Sequence, residues 1–249
     1  MKITLIGAGA IGGTLADRLG AAGHDVLVTG MRGHEPAAGG VRATGVSVAP
    51  IDEAVQDRDV IVLAVPFTAQ TALAAVLADV PGTTIIVDTS NYYPFMSGPV
   101  PAVDRGQIES AWSEEQLGRP VVKAWNAALA ATQQTRALPA GTPGRLAIPV
   151  AGDAADARAA VMQLVDDTGF DPFDAGVIGD SWRQQPGTPA YCTELGLDDL
   201  GRALAAADRD TAPATRDRII AELASRSEAP SLDEVVAMNR SAHPATEVR

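Results

Sequence analysis

Short runs of aliphatic and β-branched residues alternate along this chain with stretches whose apolar positions recur at helical spacing. Ile3 to Ile6 is an apolar strand, and Leu15, Leu19 and Ala22 follow at helical spacing. Asp25 to Thr29 is a second strand, so the first thirty residues predict a βαβ unit. Val46 to Pro50 predicts a short strand and Asp52 to Asp57 a helix of one or two turns. Asp59 to Pro66 is a strand, continuously apolar from Val60 onward, as expected for the centre of a parallel sheet buried on both faces. A helix over Thr68 to Ala78, a strand over Thr84 to Asp88, a helix around Gln107 to Leu117 and a strand over Val121 to Ala124 complete this part.

From Leu138 to Gly144 the chain turns rich in Pro and Gly, which sets an expected boundary between a unit over 1–140 and one over 141–249. Beyond it come a strand over Arg145 to Ala151, an amphipathic helix over Ala154 to Thr168 and a short strand over Asp171 to Asp174. Ser181 to Tyr191 is a polar and aromatic loop between prolines. Asp198 to Ala207, Ala214 to Arg226 and Ser231 to Asn239 read as three helices, and Ser241 to Arg249 as a frayed end.

The first strand runs directly into Gly7-Ala8-Gly9-Ala10-Ile11-Gly12, a GxGxxG turn. Gly7 permits the tight turn, Gly9 lets backbone approach a pyrophosphate, and Gly12 lets the following helix close on the strand. The helix start then presents free N–H groups and its positive dipole end to the phosphates. With strands and helices alternating behind it, this motif predicts an α/β fold: a Rossmann-type doubly wound parallel sheet with a smaller, mainly helical C-terminal region that covers the nicotinamide end. The second strand ends in Val28-Thr29-Gly30-Met31-Arg32-Gly33-His34-Glu35. No acid stands at Gly30 or Met31 to take an NAD ribose, whereas the Arg32 fork suits a 2′-phosphate. NADP(H) is therefore favoured over NAD(H). Thr29 and His34 are possible helpers, although a solvated loop is the simpler account of His34.

Composition narrows the function classes. The chain has 249 residues, 46% of them hydrophobic, enough for a sizeable core. Its net charge of −12 disfavours nucleic acid and anionic membrane as partners. No apolar run approaches about 20 residues, and the first strand begins at once, so neither a membrane span nor a signal peptide is expected and a cytoplasmic location is. Cys192 is the only cysteine, which excludes an internal disulfide framework, and His24, His34 and His243 lack metal-ligand spacing. No metal site is expected.

Gly7 to Gly13, Thr29 to Gly33, Asp59 to Phe67, Val87-Asp-Thr-Ser-Asn91 and Val121-Val-Lys-Ala-Trp-Asn126 together resemble a family of dinucleotide-binding enzymes. That family is typified by NADPH-dependent reductases of the 8-hydroxy-5-deazaflavin coenzyme, factor 420. The resemblance covers most of residues 1 to about 170. It implies that Arg32 holds the NADP 2′-phosphate, with Met31 where a serine is common. It further implies that Val65, Pro66, Phe67, Ser90, Asn91, Ala124, Trp125 and Asn126 line the nicotinamide end. A homodimer is expected by the same resemblance, because the C-terminal helices would otherwise expose apolar faces. The C-terminal third departs from the pattern, which leaves the second substrate open.

Three kinds of chemistry fit these residues. Hydride transfer from NADPH to a deazaflavin, or to a flavin, asks little of the side chains once two rings are held in register. Phe67 and Trp125 would then shape the slot, or simply pack the core; Asn91 and Asn126 would bond the carboxamide, or fix their own loops. Reduction of a ketone or imine would instead need a proton donor, for which Lys123, Tyr92, Tyr93 and Tyr191 are candidates. Lys123 and Asn126 show a K-x-x-N spacing, but on a strand end rather than a helix. Arg183, Gln184 and Gln185 either hold an acidic substrate or form a solvated loop. The third reading is a sensor that binds NADPH and performs no chemistry.

Overall fold

The computed structural model describes residues 1–31 and 45–243. Arg32, His34 and residues 244–249 therefore lie outside the described residues. Six parallel strands form one sheet in the order β3-β2-β1-β4-β5-β6, which reverses direction of growth at β1. They are β1 (Lys2–Ile6), β2 (Asp25–Thr29), β3 (Val46–Val48), β4 (Val60–Leu63), β5 (Ile85–Asp88) and β6 (Val122–Lys123). This is the doubly wound sheet that the alternation of elements predicts. β4 shows why its sequence is continuously apolar. Val60 and Val62 enter one core with Ile3, Leu5, Val26 and Val28, while Ile61 and Leu63 enter another with Ile6 and Ile86.

Helices cover both faces. α1 (Ala10–Ala21) sends Leu15 and Leu19 into the first core, and α2 (Ile51–Ala54) sends Ile51 into the second. The helix expected over Thr68 to Ala78 is instead a 3-10 helix over Phe67–Leu73 followed by a single turn, α3 (Ala74–Leu77). The buried positions explain the difference. Phe67, Gln70 and Leu73 are three apart, and a three-residue period aligns them on one side only in the tighter helix. After β5 come two short turns, α4 (Pro94–Ser97) and α5 (Pro101–Asp104), and then α6 (Glu109–Leu117).

β6 is shorter than expected because Trp125 has a left-handed backbone, φ +58°, which turns the chain out of the sheet. A one-and-a-half-turn helix, α7 (Ala130–Thr135), precedes the Pro- and Gly-rich stretch. Past that stretch, β7 (Ala147–Val150) and β8 (Asp171–Asp174) pair in parallel through α8 (Ala155–Asp167). An antiparallel bridge between Lys123 and Ala151 joins this unit to β6. The core runs straight across the boundary expected at 140, since Ile148, Val150, Val161, Leu164 and Phe170 pack in one cluster with Ile3, Leu5 and Leu15.

A 3-10 helix over Ile178–Gln184 opens the polar and aromatic loop, which is mostly buried rather than solvated. Three helices follow: α9 (Leu197–Ala205), α10 (Ala212–Ala224) and α11 (Leu232–Ser241). α9 seats Leu200, Ala203 and Leu204 with Phe173 of β8. α11 starts in a capping box between Ser231 and Glu234, and Arg240 donates to the Thr193 and Glu194 carbonyls at 2.7 and 2.8 Å. Among the described residues of these helices, Leu197 is the one exposed large hydrophobic side chain, at 42%; the most exposed apolar pair among all the described residues is Phe95 and Met96 on α4. No helix among the described residues is long and apolar enough to cross a membrane.

Candidate functional site

The carboxyl ends of the parallel strands share one edge of the sheet, where the turn after β1 sits beside the segments that follow β4, β5 and β6. In that turn the three glycines do different work. Gly7 has φ +107°, and a Cβ there would lie 2.3 Å from the Ala64 carbonyl oxygen. A Cβ on Gly12 would lie 1.9 Å from the Gly7 carbonyl oxygen, so helix and strand meet at a distance only glycine allows. Gly9 is exposed, and a Cβ there would meet nothing within 4 Å. Its bareness therefore serves the space outside the protein. Gly9 is also the N-cap of α1, with no side chain capping the first N–H groups. An open approach over uncapped helix amides fits a pyrophosphate.

Ala8 and Ile11 are half-buried against the first core, and Ala10 is exposed beside Gly9. Thr29 is buried; its carbonyl accepts the Gly7 N–H at 2.8 Å and so holds β2 to the turn. Met31 is half-buried against the second core with Val65 and Leu63. Thus the position without an acid is filled by packing, and the residue expected to bind the 2′-phosphate, Arg32, follows just outside the described residues.

The segments expected to line the nicotinamide end divide into surface and support. Pro66 is exposed. Phe67 is only 1% exposed, and it stacks on Trp112 at 4.4 Å and tilts against Tyr92 at 5.4 Å. Trp125 is equally buried, packs in the first core, and donates from Nε1 to Thr168 Oγ1 at 3.2 Å. Ala124 is wholly buried. Phe67 and Trp125 are therefore supports beneath the edge and not walls of a slot.

Asn91 and Asn126 hold one another. Asn126 Nδ2 donates to Asn91 Oδ1 at 3.0 Å and to the Gln184 carbonyl at 2.9 Å, while Asn91 Nδ2 donates to the Asn126 carbonyl at 2.9 Å. Gln184 Nε2 closes the set on Asn126 Oδ1 at 2.9 Å. Of the two alternatives for these asparagines, loop fixation is the one the geometry displays. Gln184 is fully buried at this junction, so it is neither solvated nor free to hold a substrate.

Lys123 is fully buried too. Its ammonium donates to Asp88 Oδ2 at 2.8 Å and to the Ser90 carbonyl at 2.5 Å. Asp88, itself 0% exposed, accepts further bonds on Oδ1 from Gln70 Nε2 at 2.7 Å and from the Ser90 N–H at 2.8 Å. This ion pair pins the segment after β5, including Ser90, whose hydroxyl takes the second Gln70 bond at 2.7 Å. Lys123 supports the edge from below and presents no proton to it.

Tyr191 and Tyr93 share a hydroxyl–hydroxyl bond of 2.7 Å, and Asn91 Nδ2 reaches the Tyr191 oxygen at 3.3 Å. Burial raises both phenols above their ordinary range, so both stay protonated. Burial likewise pushes the Cys192 thiol up to about 12, which makes it an unreactive core residue. Tyr92 donates to Asp104 at 2.8 Å and is 1% exposed, away from any donor role. Arg183 lies over the Trp182 ring at 4.6 Å and donates to the Leu204 carbonyl at 3.2 Å.

Sequence reasoning missed Glu109. It opens α6, where an acid ordinarily just complements the helix dipole. In the fold it is 3% exposed, accepts the Tyr92 N–H at 3.1 Å, and burial pushes its carboxyl up to about 7 despite Lys123 and Arg216 nearby. Nothing local in the sequence signals that burial.

Comparison with known proteins adds to this geometry. Residues 2–92 match the family described as NADP oxidoreductase, coenzyme F420-dependent. The protein YjhV of Escherichia coli K12 is 41% identical over 104 residues, which is 42% of this chain and 76% of YjhV. The crystal structure of protein SMa0349 from Sinorhizobium meliloti is 31% identical, with a TM-score of 0.65, covering 77% of this chain and 93% of that one. A protein from Arthrobacter sp. FB24 named as an F420-dependent NADP-reductase is 26% identical, with a TM-score of 0.58, covering 73% of this chain and 87% of that one.

Proposed function

Because the chain belongs to the family of coenzyme F420-dependent NADP oxidoreductases, we propose that it is an NADP(H)-dependent oxidoreductase whose second substrate is a cofactor of the deazaflavin or flavin type. One observation carries the reading. Gly9 is open to solvent at an uncapped helix start, while Gly7 and Gly12 beside it are forced by contacts under 2.5 Å. A turn this constrained, with its one free face over helix amides, supports dinucleotide binding rather than a structural glycine turn.

Bound NADPH supplies a hydride. The chain's own contribution is to bind and orient. The amides at the start of α1 hold phosphate, and Arg32, from its place in the sequence after β2, supplies the charge for the 2′-phosphate. The Asn91–Asn126–Gln184 set and the Lys123–Asp88 pair keep the segments after β5 and β6 rigid. Rigid loops of this kind favour transfer between two held rings, because positioning is then the main requirement. Tyr93 and Tyr191 are the hydroxyls nearest these loops that a ketone or imine reductase would use, but each already donates or accepts within the pair.

The test is anaerobic absorbance with NADPH and the oxidised deazaflavin coenzyme, with flavin mononucleotide and acceptor-free controls. Bleaching of the deazaflavin band with matching loss of NADPH supports the proposal. Tight NADPH binding without turnover on either acceptor rejects it in favour of a small-molecule reductase or a sensor.

A further inference from the structure

A small cavity of about 70 Å³ lies between the start of α6, the end of the 3-10 helix over Ile178–Gln184 and the start of α10. Its wall includes Gln107, Glu109, Trp182, Gln185, Arg209 and Arg216. Two of its lining residues link it to the candidate site. Glu109 bonds the Tyr92 amide, one residue past Asn91, and Gln185 directly follows Gln184, which bonds Asn126.

Its polar wall is rich in donors. Arg216 has a side chain only 12% exposed, with Nε held by Asp217 at 2.8 Å and the guanidinium 5.7 Å over the Tyr92 ring. Arg209 stands at the side and donates to the Gly106 carbonyl at 2.6 Å. Gln185 Nε2 is buried without a hydrogen-bond partner, which costs free energy unless something accepts from it. The first turn of α10 closes the wall with Ala212 and Pro213. That turn is seated on Gly187, where φ is +87° and a Cβ would lie 2.0 Å from the Ala212 carbonyl oxygen. Arg216 is therefore fixed in place by a backbone contact that no other residue at 187 would permit.

We propose that this cavity is a subsite for one anionic group, a carboxylate or a phosphate, carried by the hydride acceptor. The inference rests on the oxidoreductase reading above and adds to it a demand on the acceptor, which must be acidic. Two guanidinium groups, with Gln185 in the wall beside them, around a space of a few heavy atoms match an oxyanion and mismatch a neutral or cationic group. Glu109 sets a condition on binding. It feels the charges of Lys123 on β6, Asp88 on β5 and Arg216 on α10, accepts the Tyr92 amide and interacts with Tyr93 on the loop after β5, and burial holds its carboxyl at about 7. An anion entering beside it favours the protonated carboxyl, so affinity falls as pH rises through that value.

Calorimetric titration of the NADP⁺-saturated protein with inorganic phosphate and, separately, acetate tests the proposal, since bound NADP⁺ occupies the phosphate cradle at Gly9. The expected result is saturable binding of at least one anion, weakened at least tenfold in Arg216→Gln and in Gln185→Leu, and, after allowance for the second ionisation of phosphate itself, no longer falling between pH 6 and 8 in Glu109→Gln. Phosphate binding alone identifies a phosphoryl group, and acetate binding alone a carboxylate. Gln185 lies outside any helix, so its variant keeps the test open should Arg216→Gln unfold. Absence of binding by both anions, or affinity unchanged in a folded variant of either residue, overturns the subsite. Failure of NADP⁺ itself to bind would reject the nucleotide reading separately, and the same anion titration on the nucleotide-free protein would still judge the cavity.

Discussion

Replacing Lys123 by Met separates support from catalysis at the edge of the sheet. The change removes the ammonium that bridges Asp88 Oδ2 and the Ser90 carbonyl while leaving the Asp88 carboxylate 0% exposed. Asp88 keeps the bonds from Gln70 and the Ser90 amide, but its charge is no longer matched. Breaking one side of a buried pair costs about 3–5 kcal/mol. For a chain of this size each kcal/mol lowers Tm by roughly 2–4 °C, so a fall of about 6–20 °C is expected. Adding Asp88→Asn removes the stranded charge, and the double variant should regain about 2 kcal/mol relative to the sum of the single changes. Urea unfolding followed by circular dichroism on the four proteins of this cycle, alongside NADPH oxidation, gives the readout. A K123M protein that unfolds at the wild-type urea concentration but has lost all turnover would refute the reasoning, because it would make Lys123 a proton donor and not a strut.

Gly9→Ala should fold normally, since its new methyl meets nothing within 4 Å, yet lose NADPH affinity at least tenfold; Gly12→Ala, forced to 1.9 Å from the Gly7 oxygen, should lose about 3 kcal/mol of stability or more. Unfolding curves and fluorescence titration with NADPH distinguish the two, and equal behaviour would contradict the assigned division. Arg32→Glu should weaken NADPH by about 10- to 100-fold, from loss of a charge-assisted contact worth roughly 1.5–3 kcal/mol, while NADH affinity changes little. Unchanged NADPH affinity would remove the 2′-phosphate role. Glu109 has a folded carboxyl near 7 against an unfolded value of 4.5, so the native state holds its proton longer. Stability from this group is thus present below pH 4.5 and lost as pH rises to about 7, by about 3 kcal/mol in total. Glu109→Gln should flatten that decline in denaturant unfolding at pH 5 and pH 8, and a slope equal to wild type would exclude Glu109 as its source.

The candidate site was visible in the sequence to unequal degrees. The glycine turn was fully readable, because the steric demands at Gly7 and Gly12 arise from the strand and helix of one βαβ unit, close together in the chain. Asn91, Asn126, Ser90 and Lys123 could be marked as residues at strand ends, but their partners lie far off in the chain, 58 residues from Asn126 at Gln184 and 100 residues from Asn91 at Tyr191. Whether an asparagine faces a ligand or another asparagine depends on that distant partner. The 3-10 helix over Phe67–Leu73 was hidden for a related reason. Its period is set by Gln70 turning inward to Asp88 and Ser90, and not by any preference of its own residues.

By itself, then, the sequence determined the order and type of most of the elements, the parallel doubly wound sheet and the glycine turn after β1. Each of these follows from residue spacing within one element or between neighbours, where pattern and backbone sterics act directly. The tertiary structure decided which polar side chains are struts and which face outward, joined the strand-helix-strand unit after residue 140 to the first core, and buried Glu109 among charges from β5, β6 and α10. Those outcomes depend on desolvation and on contacts between elements far apart in the chain, and neither quantity is carried by any local pattern of residues.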